Sequence, residues 1–217
     1  MIEGLTLEID AEAVVVRAAR PLAVVSSAVV GGGFGAALAI ANLHVPKGFR
    51  CEQTERVLGD FARRRALAAP WIGLLTAAWT EKAEQATAAA DGVTALAVVT
   101  VGLGNVVGAG RSQAAAWASS TINTIVVVDA QPEPAALVNL VMTVTEAKTL
   151  ALTEAGVRAA DGGLASGTST DAVVVAATNR GRTCRFGGPA SELGAVVASA
   201  AKTALDAGIR RWIQEHR

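Results

Sequence analysis

The sequence predicts an α+β fold in which mixed or antiparallel sheets carry packed helices, and three observations predict it. Residues 93–101, 121–128 and 170–177 are short runs rich in Val, Ile and Ala, the pattern of strands covered on both faces. Two longer stretches, 135–152 and 191–211, carry helix signals at their ends. From residue 93 onward the order is strand, strand, helix, strand, helix, so the first two strands are joined with no helix between them. A purely parallel sheet needs a crossover there.

In chain order, residues 14–16 and 22–25 are β-branched runs parted by Ala19-Arg20-Pro21, which predicts an early hairpin. Residues 26–35 read as a glycine-rich turn and 34–42 as a short helix. Between 52 and 69, Val57, Leu58, Phe61 and Ala62 fall at helical spacing. Arg63-Arg64-Arg65 lies near the end of that helix, where cations complement the dipole and read as a solvated face. Residues 71–76 are short and apolar, a strand. Residues 93–101 end at the turn Gly102-Leu103-Gly104-Asn105. Pro132 and Pro134 open the helix at 135–152 and Gly156 closes it. Ser191 with Glu192 opens the last helix. No linker, low-complexity tract or repeat interrupts the chain, so residues 1–217 are expected to form a single domain.

The 217 residues hold 19 Lys+Arg and 19 Asp+Glu, so no net field attracts nucleic acid or an anionic membrane. Mean hydropathy is +0.41, yet the best candidate span, residues 22–41, is broken by Ser26-Ser27 and three glycines. The acidic start (Glu3, Glu8, Asp10, Glu12) is wrong for a signal peptide. Cys51 and Cys184 are far apart and form no CxxC pair, so reduced thiols and a soluble cytoplasmic protein are expected.

Polar clusters set among apolar residues mark the candidate site. Gly167-Thr168-Ser169-Thr170-Asp171 runs directly into Ala172-Val173-Val174-Val175. A buried Val gains about 1.5–3 kcal/mol, whereas a carboxylate at the mouth of such a strand costs free energy unless it is paired. The Gly allows close approach of backbone, the hydroxyls of Thr168, Ser169 and Thr170 add donors, and Asp171 suits a general base. A plain Asx or Ser/Thr turn before a strand is the competing reading. Thr145-Glu146-Ala147-Lys148 sits on an otherwise apolar helix; residues two apart do not face one another, so Glu146 and Lys148 should meet different partners. Ser26, Ser27, Gly32 and Gly33 offer backbone donors to an amide or anionic ligand, and lack the GxxxxGK[ST] pattern of a nucleotide loop. Gly102 and Asn105 end a strand where something approaches closely. Asn42 and Asn123 lie among apolar residues and must find partners if buried. His44 has no second His or Cys at ligand spacing, so no metal is expected; a general acid or base and a structural hydrogen bond are both open to it.

Several of these segments recur in one order in a known family. Ser26-Ser27-Ala28 with Gly31-Gly32-Gly33, Asn42 with His44-Val45-Pro46, and Leu75-Thr76-Ala77-Ala78 come first. Thr100-Val101-Gly102-Leu103-Gly104-Asn105, Thr121-Ile122-Asn123, Thr145 to Lys148 and Gly167 to Val175 follow. Together, over about residues 21–208, they resemble the adenosylcobinamide amidohydrolase family of corrinoid-salvage enzymes. The resemblance implies hydrolysis of the amide between aminopropanol and the corrin propionyl arm of adenosylcobinamide, with a small-molecule corrinoid substrate and no cofactor. It further implies backbone donors of residues 167–169 at the oxyanion, Asp171 or Glu146 as base, and Lys148 or His44 as electrostatic aid or proton donor. A homo-oligomer stays open. The chain departs from the family pattern at Val101, at Ser169 where glycine is more usual, and at Ser119-Ser120 before Thr121, which puts substrate detail in doubt. A fainter similarity of residues 121–129, 171–178 and 193–207 to β-aminopeptidases and ornithine acetyltransferases points to an αββα sandwich. A non-catalytic corrinoid or tetrapyrrole carrier, and an N-terminal-nucleophile-like aminopeptidase or acyltransferase split before Thr121 or Thr168, are the alternatives.

Overall fold

One long strand organises the molecule. The computed structural model describes residues 2–113 and 120–216. Its first strand, β1 (Leu5–Ile9), turns at Asp10 into β2 (Ala13–Ser26), and the Asp10 Oδ1 accepts the N–H groups of Glu12 and Ala13 at 2.9 Å each. Then come β3 (Gly33–His44), a 3-10 turn at Cys51–Gln53, α1 (Thr54–Arg64), β4 (Trp71–Thr76), β5 (Glu84–Ala90) and β6 (Val93–Val101). The two-residue β7 (Val106–Val107) precedes β8 (Ile122–Asp129), β9 (Gln131–Pro132) and α2 (Pro134–Glu154). The chain continues through β10 (Gly167–Thr168), β11 (Ala172–Ala177) and β12 (Thr183–Cys184) to α3 (Glu192–Glu215).

Eight strands form one mixed sheet in the order β4-β3-β2-β11-β8-β6-β5, with β1 also on β2. The β3–β4 and β8–β11 pairs are parallel and the others antiparallel. The β2–β3 register shifts between Arg17 and Leu22, the stretch that holds Pro21, whose missing N–H suits a bulge. Before the shift β2 has β1 on its outer edge; after it, residues 23–26 and 174–177 pair instead. A single strand thus serves both halves of the sheet, and the bulge folds one half over the other.

The pleat then sorts side chains into three cores, because neighbours along a strand point to opposite faces. Val14, Val16, Ile40, Ile72 and Leu74 of one half pack with Leu96, Val98, Ile125, Val127, Val174 and Ala176 of the other. On the outer face of the first half, Ala13, Val15, Ala41 and Leu43 meet Leu58 and Phe61 of α1. On the outer face of the second, Val126, Val128, Val173 and Val175 meet Leu140 and Val144 of α2 and Leu193, Val197 and Leu205 of α3. The layers run helix, sheet, sheet, helix, an α+β sandwich as the strand and helix order predicts. The apolar stripe of α2, long enough by composition to cross a membrane, is half buried in this packing.

Two elements differ from expectation. Residues 14–16 and 22–25 are not the arms of a hairpin but two parts of β2, because both pair with β3 across the bulge. Residues 34–42 form β3 rather than a helix: Ala37, Ala39 and Ala41 are fully buried between flanking strands, where pairing on both edges overrides alanine's helix preference. The remaining predicted elements appear with boundaries shifted by a few residues. Ser191 caps α3 by accepting the Gly194 N–H at 3.0 Å, and Gly156 (φ 69°) ends α2 in the left-handed conformation.

Candidate active site

The parallel pairing of β8 and β11 sets their N-terminal ends side by side, and the antiparallel β2 and β6 end at the same place. The ends of β3 and β4 come up against them from the other half of the sheet. Polar residues collect at this junction in two groups.

The first group is neutral. Asn123 Nδ2 donates to Asn42 Oδ1 at 2.8 Å and to the Leu75 carbonyl at 2.8 Å, and Asn42 Nδ2 donates to Thr100 Oγ1 at 2.9 Å. The Thr121 hydroxyl lies 3.1 Å from Asn123 Oδ1 and 2.8 Å from the Thr170 carbonyl. Asn42 is 2% exposed and Asn123 1%, so these bonds replace the water both amides lose on burial. They join the two halves of the sheet.

The second group is charged. Lys148, on the buried face of α2, pairs with Asp171 Oδ2, and each side chain is 8% exposed. Asp171 Oδ2 also accepts the Thr168 N–H at 3.0 Å, while Oδ1 accepts the Ile122 N–H at 2.9 Å and the Thr168 hydroxyl. Four donors fill the carboxylate's acceptor positions, which is what burying it requires. Gly167 is where the pair crosses the loop: a Cβ there would lie 2.4 Å from Asp171 Oδ2 and 2.9 Å from Lys148 Nζ, so only glycine fits.

Two cavities open at this end. A pocket of about 160 Å³ is lined by Ser27, Thr76, Thr121, Asn123, Thr170 and Asp171, with Cys51 at its edge. A basin of about 760 Å³ is lined by Trp79, Gly102, Gly104 and Asn105 on one side and by Arg211, Trp212 and His216 of the last helical turns on the other. Ala77 and Ser120 border both. The basin lies within the usual size range of ligand sites.

The structure therefore brings together Lys148, Asp171, Thr168, Thr170, Asn42, Asn123 and Ser27. Ser26 turns inward, its Oγ accepting the Ala28 N–H at 2.9 Å. Ser169 Oγ accepts Asn105 Nδ2 at 2.6 Å, joining the 167–171 loop to the basin wall. Gly102 lines the basin; a Cβ on it would meet Ser120 Oγ at 2.9 Å. Gly32 and Gly33 border neither cavity. Gly32 lies where a Cβ would strike the Ala28 carbonyl at 2.5 Å, and Gly33 has φ 91°, so both serve the β2–β3 turn. The Thr168 N–H is turned toward Asp171 and away from an oxyanion. Glu146 is exposed, on the side of α2 opposite Lys148, as their two-residue spacing requires. His44 donates from Nδ1 to the Ala78 carbonyl at 2.9 Å and stacks on Trp79 rather than meeting Asp171. Ser119 lies outside the described residues. Thr76 and Trp79 carry no site signal of their own in the sequence, although Thr76 ends β4 within a recurring motif. Thr121, just before β8, enters from sequence only as the nucleophile of the self-processing alternative. Among the described residues no three His, Cys, Asp or Glu side chains gather as a metal-binding set.

The layered α+β sandwich thus joins a ligand-sized basin to a side pocket with Asp171 on its wall and Lys148 behind it. The chain belongs to the adenosylcobinamide amidohydrolase family, whose model matches residues 2–217. A curated relative from Methanosarcina mazei, an adenosylcobinamide amidohydrolase, is 35% identical over 153 residues. That stretch spans 70% of this chain and 66% of the relative. The fold is similar to that of the PH0078 protein from Pyrococcus horikoshii OT3, with a TM-score of 0.50 and 12% identity, covering 95% of this chain and 83% of that one. The l-aminopeptidase d-Ala-esterase/amidase of Ochrobactrum anthropi covers the same shares at a TM-score of 0.43 and 12% identity.

Proposed function

We propose that this protein, acting as one domain in the cytoplasm, hydrolyses the amide between aminopropanol and the corrin propionyl arm of adenosylcobinamide. The products are adenosylcobyric acid and (R)-1-aminopropan-2-ol, as corrinoid salvage requires. The observation that carries the reading is the adjacency of a broad basin and a narrow pocket, with Asp171 on the pocket wall and Lys148 behind it. The basin takes the bulky macrocycle and the pocket takes one slender amide arm.

Amide hydrolysis needs water deprotonated, negative charge on the carbonyl oxygen stabilised, and the leaving amine protonated. Asp171 takes the proton from water and returns it to the amine nitrogen as the C–N bond breaks. Of its four donors, the Thr168 hydroxyl is the one that can rotate away and leave Oδ1 to the water. Lys148 supplies fixed positive charge close to the developing oxyanion, where low exposure strengthens it. The neutral Asn42–Asn123 network holds the pocket's other wall in place.

A filled carboxylate also favours a second reading, a corrinoid carrier in which the same pair only shapes the pocket. One assay separates them: adenosylcobinamide incubated with protein in dim light, aminopropanol followed by mass spectrometry, and binding followed by corrin absorbance. Release of aminopropanol by the natural chain and its loss in Asp171→Asn support hydrolysis. Saturable binding without release would establish the carrier.

A further inference from the structure

The basin carries an aromatic surface that amide cleavage does not use. Trp79 is 56% exposed on its wall, an open apolar surface of the kind that marks a binding site when it lines a cavity. The fold nonetheless holds this ring firmly. His44 stacks behind it with centroids 4.8 Å apart and planes 17° from parallel, and His44 is itself fixed by its bond to the Ala78 carbonyl at 2.9 Å. With one face of the indole covered by His44, Trp79 presents its other face and its edge to the basin. The adjoining Ala77, Ala78, Gly102 and Gly104 leave room beside it. Across the basin, Lys82 pairs with Glu215 at 2.8 Å and Arg211 donates to the Lys82 carbonyl at 2.9 Å, bracing the end of α3 against the segment that follows Trp79.

We infer that Trp79 is a stacking platform for a flat, uncharged heteroaromatic group on the substrate. This rests on the corrinoid reading above, under which that group is the adenine of the adenosyl ligand. The macrocycle itself is poorly suited to the role, since its amide arms, methyl groups and axial ligands stand out from both faces, whereas adenine offers two bare faces. Stacking of a base on an aromatic side chain is strong enough to discriminate. Trp79 then determines which corrinoid is held, while the Lys148–Asp171 pair acts on whichever arm reaches it.

The test measures Kd for adenosylcobinamide and for cyanocobinamide, which lacks the adenosyl group, by equilibrium dialysis in dim red light. Aminopropanol release is recorded in the same samples. The natural chain, Trp79→Ala, Trp79→Leu and Trp79→Phe are compared, with circular dichroism melts to establish folding. We expect the natural chain to favour the adenosyl form by about tenfold or more, Ala and Leu to lose about tenfold of that ratio, and Phe to keep most of it. Leu retains apolar bulk without a π face, so a Leu variant with the natural ratio overturns the inference, as does a natural chain with no preference. Either result leaves amide cleavage standing if aminopropanol is still released. A ratio lost in Ala and Leu with no release by any form upholds Trp79 and sinks hydrolysis. A natural chain that binds neither compound sinks both.

Discussion

The two polar groups at the cleft are both nearly closed to solvent, and they tolerate loss in different ways. The Asn42–Asn123–Thr100 group is a set of neutral amides and hydroxyls, each bond of which can be removed at the cost of one unsatisfied partner. The Lys148–Asp171 group has no half measure: deleting either member leaves the other as an uncompensated buried charge. The neutral group spans the two halves of the sheet and serves architecture. The charged group ties α2 to the start of β11, with Asp171 on the pocket wall and Lys148 behind it.

That contrast can be broken in several places. The largest effect expected is on turnover. Asp171→Asn should lower aminopropanol release by about 10²–10⁴-fold, measured below the variant's melting temperature; near-natural turnover would move Asp171 out of the reaction. Next, Lys148→Met should destabilise the fold by about 3–5 kcal/mol in urea titrations, because it strands the Asp171 carboxylate. Asn123→Leu should cost about 1–3 kcal/mol by leaving Asn42 Oδ1 and the Leu75 carbonyl unmet. Adding Asn42→Leu to it should cost less than the sum of the single changes. If the neutral variant proved as costly as Lys148→Met, the distinction drawn here would fail.

The smallest effect calibrates the buried pair against exposed ones. At the β1 surface, Arg17 and then Arg65 hold the Glu8 carboxyl below its ordinary value of 4.5 by hydrogen bonding. A carboxyl lowered in the folded state adds stability above its unfolded value and loses it as pH falls through the folded one. Glu8→Gln should therefore flatten the acid limb of stability below about pH 4.5 while changing stability at pH 7 only slightly. A large change at pH 7 would show that these exposed pairs resemble the Lys148–Asp171 pair after all.

Much of the fold was legible because burial on both faces leaves a Val-rich segment few alternatives, as for β6, β8 and β11. β3 was not, since its alanines are helix formers whose strand state is imposed by β2 and β4. β5 was missed for a different reason: its EQATAAA sequence lacks β-branched bulk. The Asp91-Gly92 pair that follows it, with both residues left-handed (φ 51° and 77°), is a hairpin signal that was present in the sequence. In the site, Asp171 stood out as a carboxylate at the mouth of an apolar strand. Its pairing with Lys148, and that of Asn42 with Asn123, could not be read, because each joins elements brought together only by the folded sheet. The outward position of Glu146 was available from helical spacing alone.

The bulged strand β2 also dictates when the molecule can close. The edge of residues 23–26 finds its partner only at residues 174–177, most of the chain later. During synthesis at about 5–20 residues per second, that edge emerges from the ribosome roughly 7–30 s before its mate does. A nascent chain in this interval displays an unfinished border that includes Val24 and Val25, the kind of unpaired edge that exposes a growing polypeptide to misassociation.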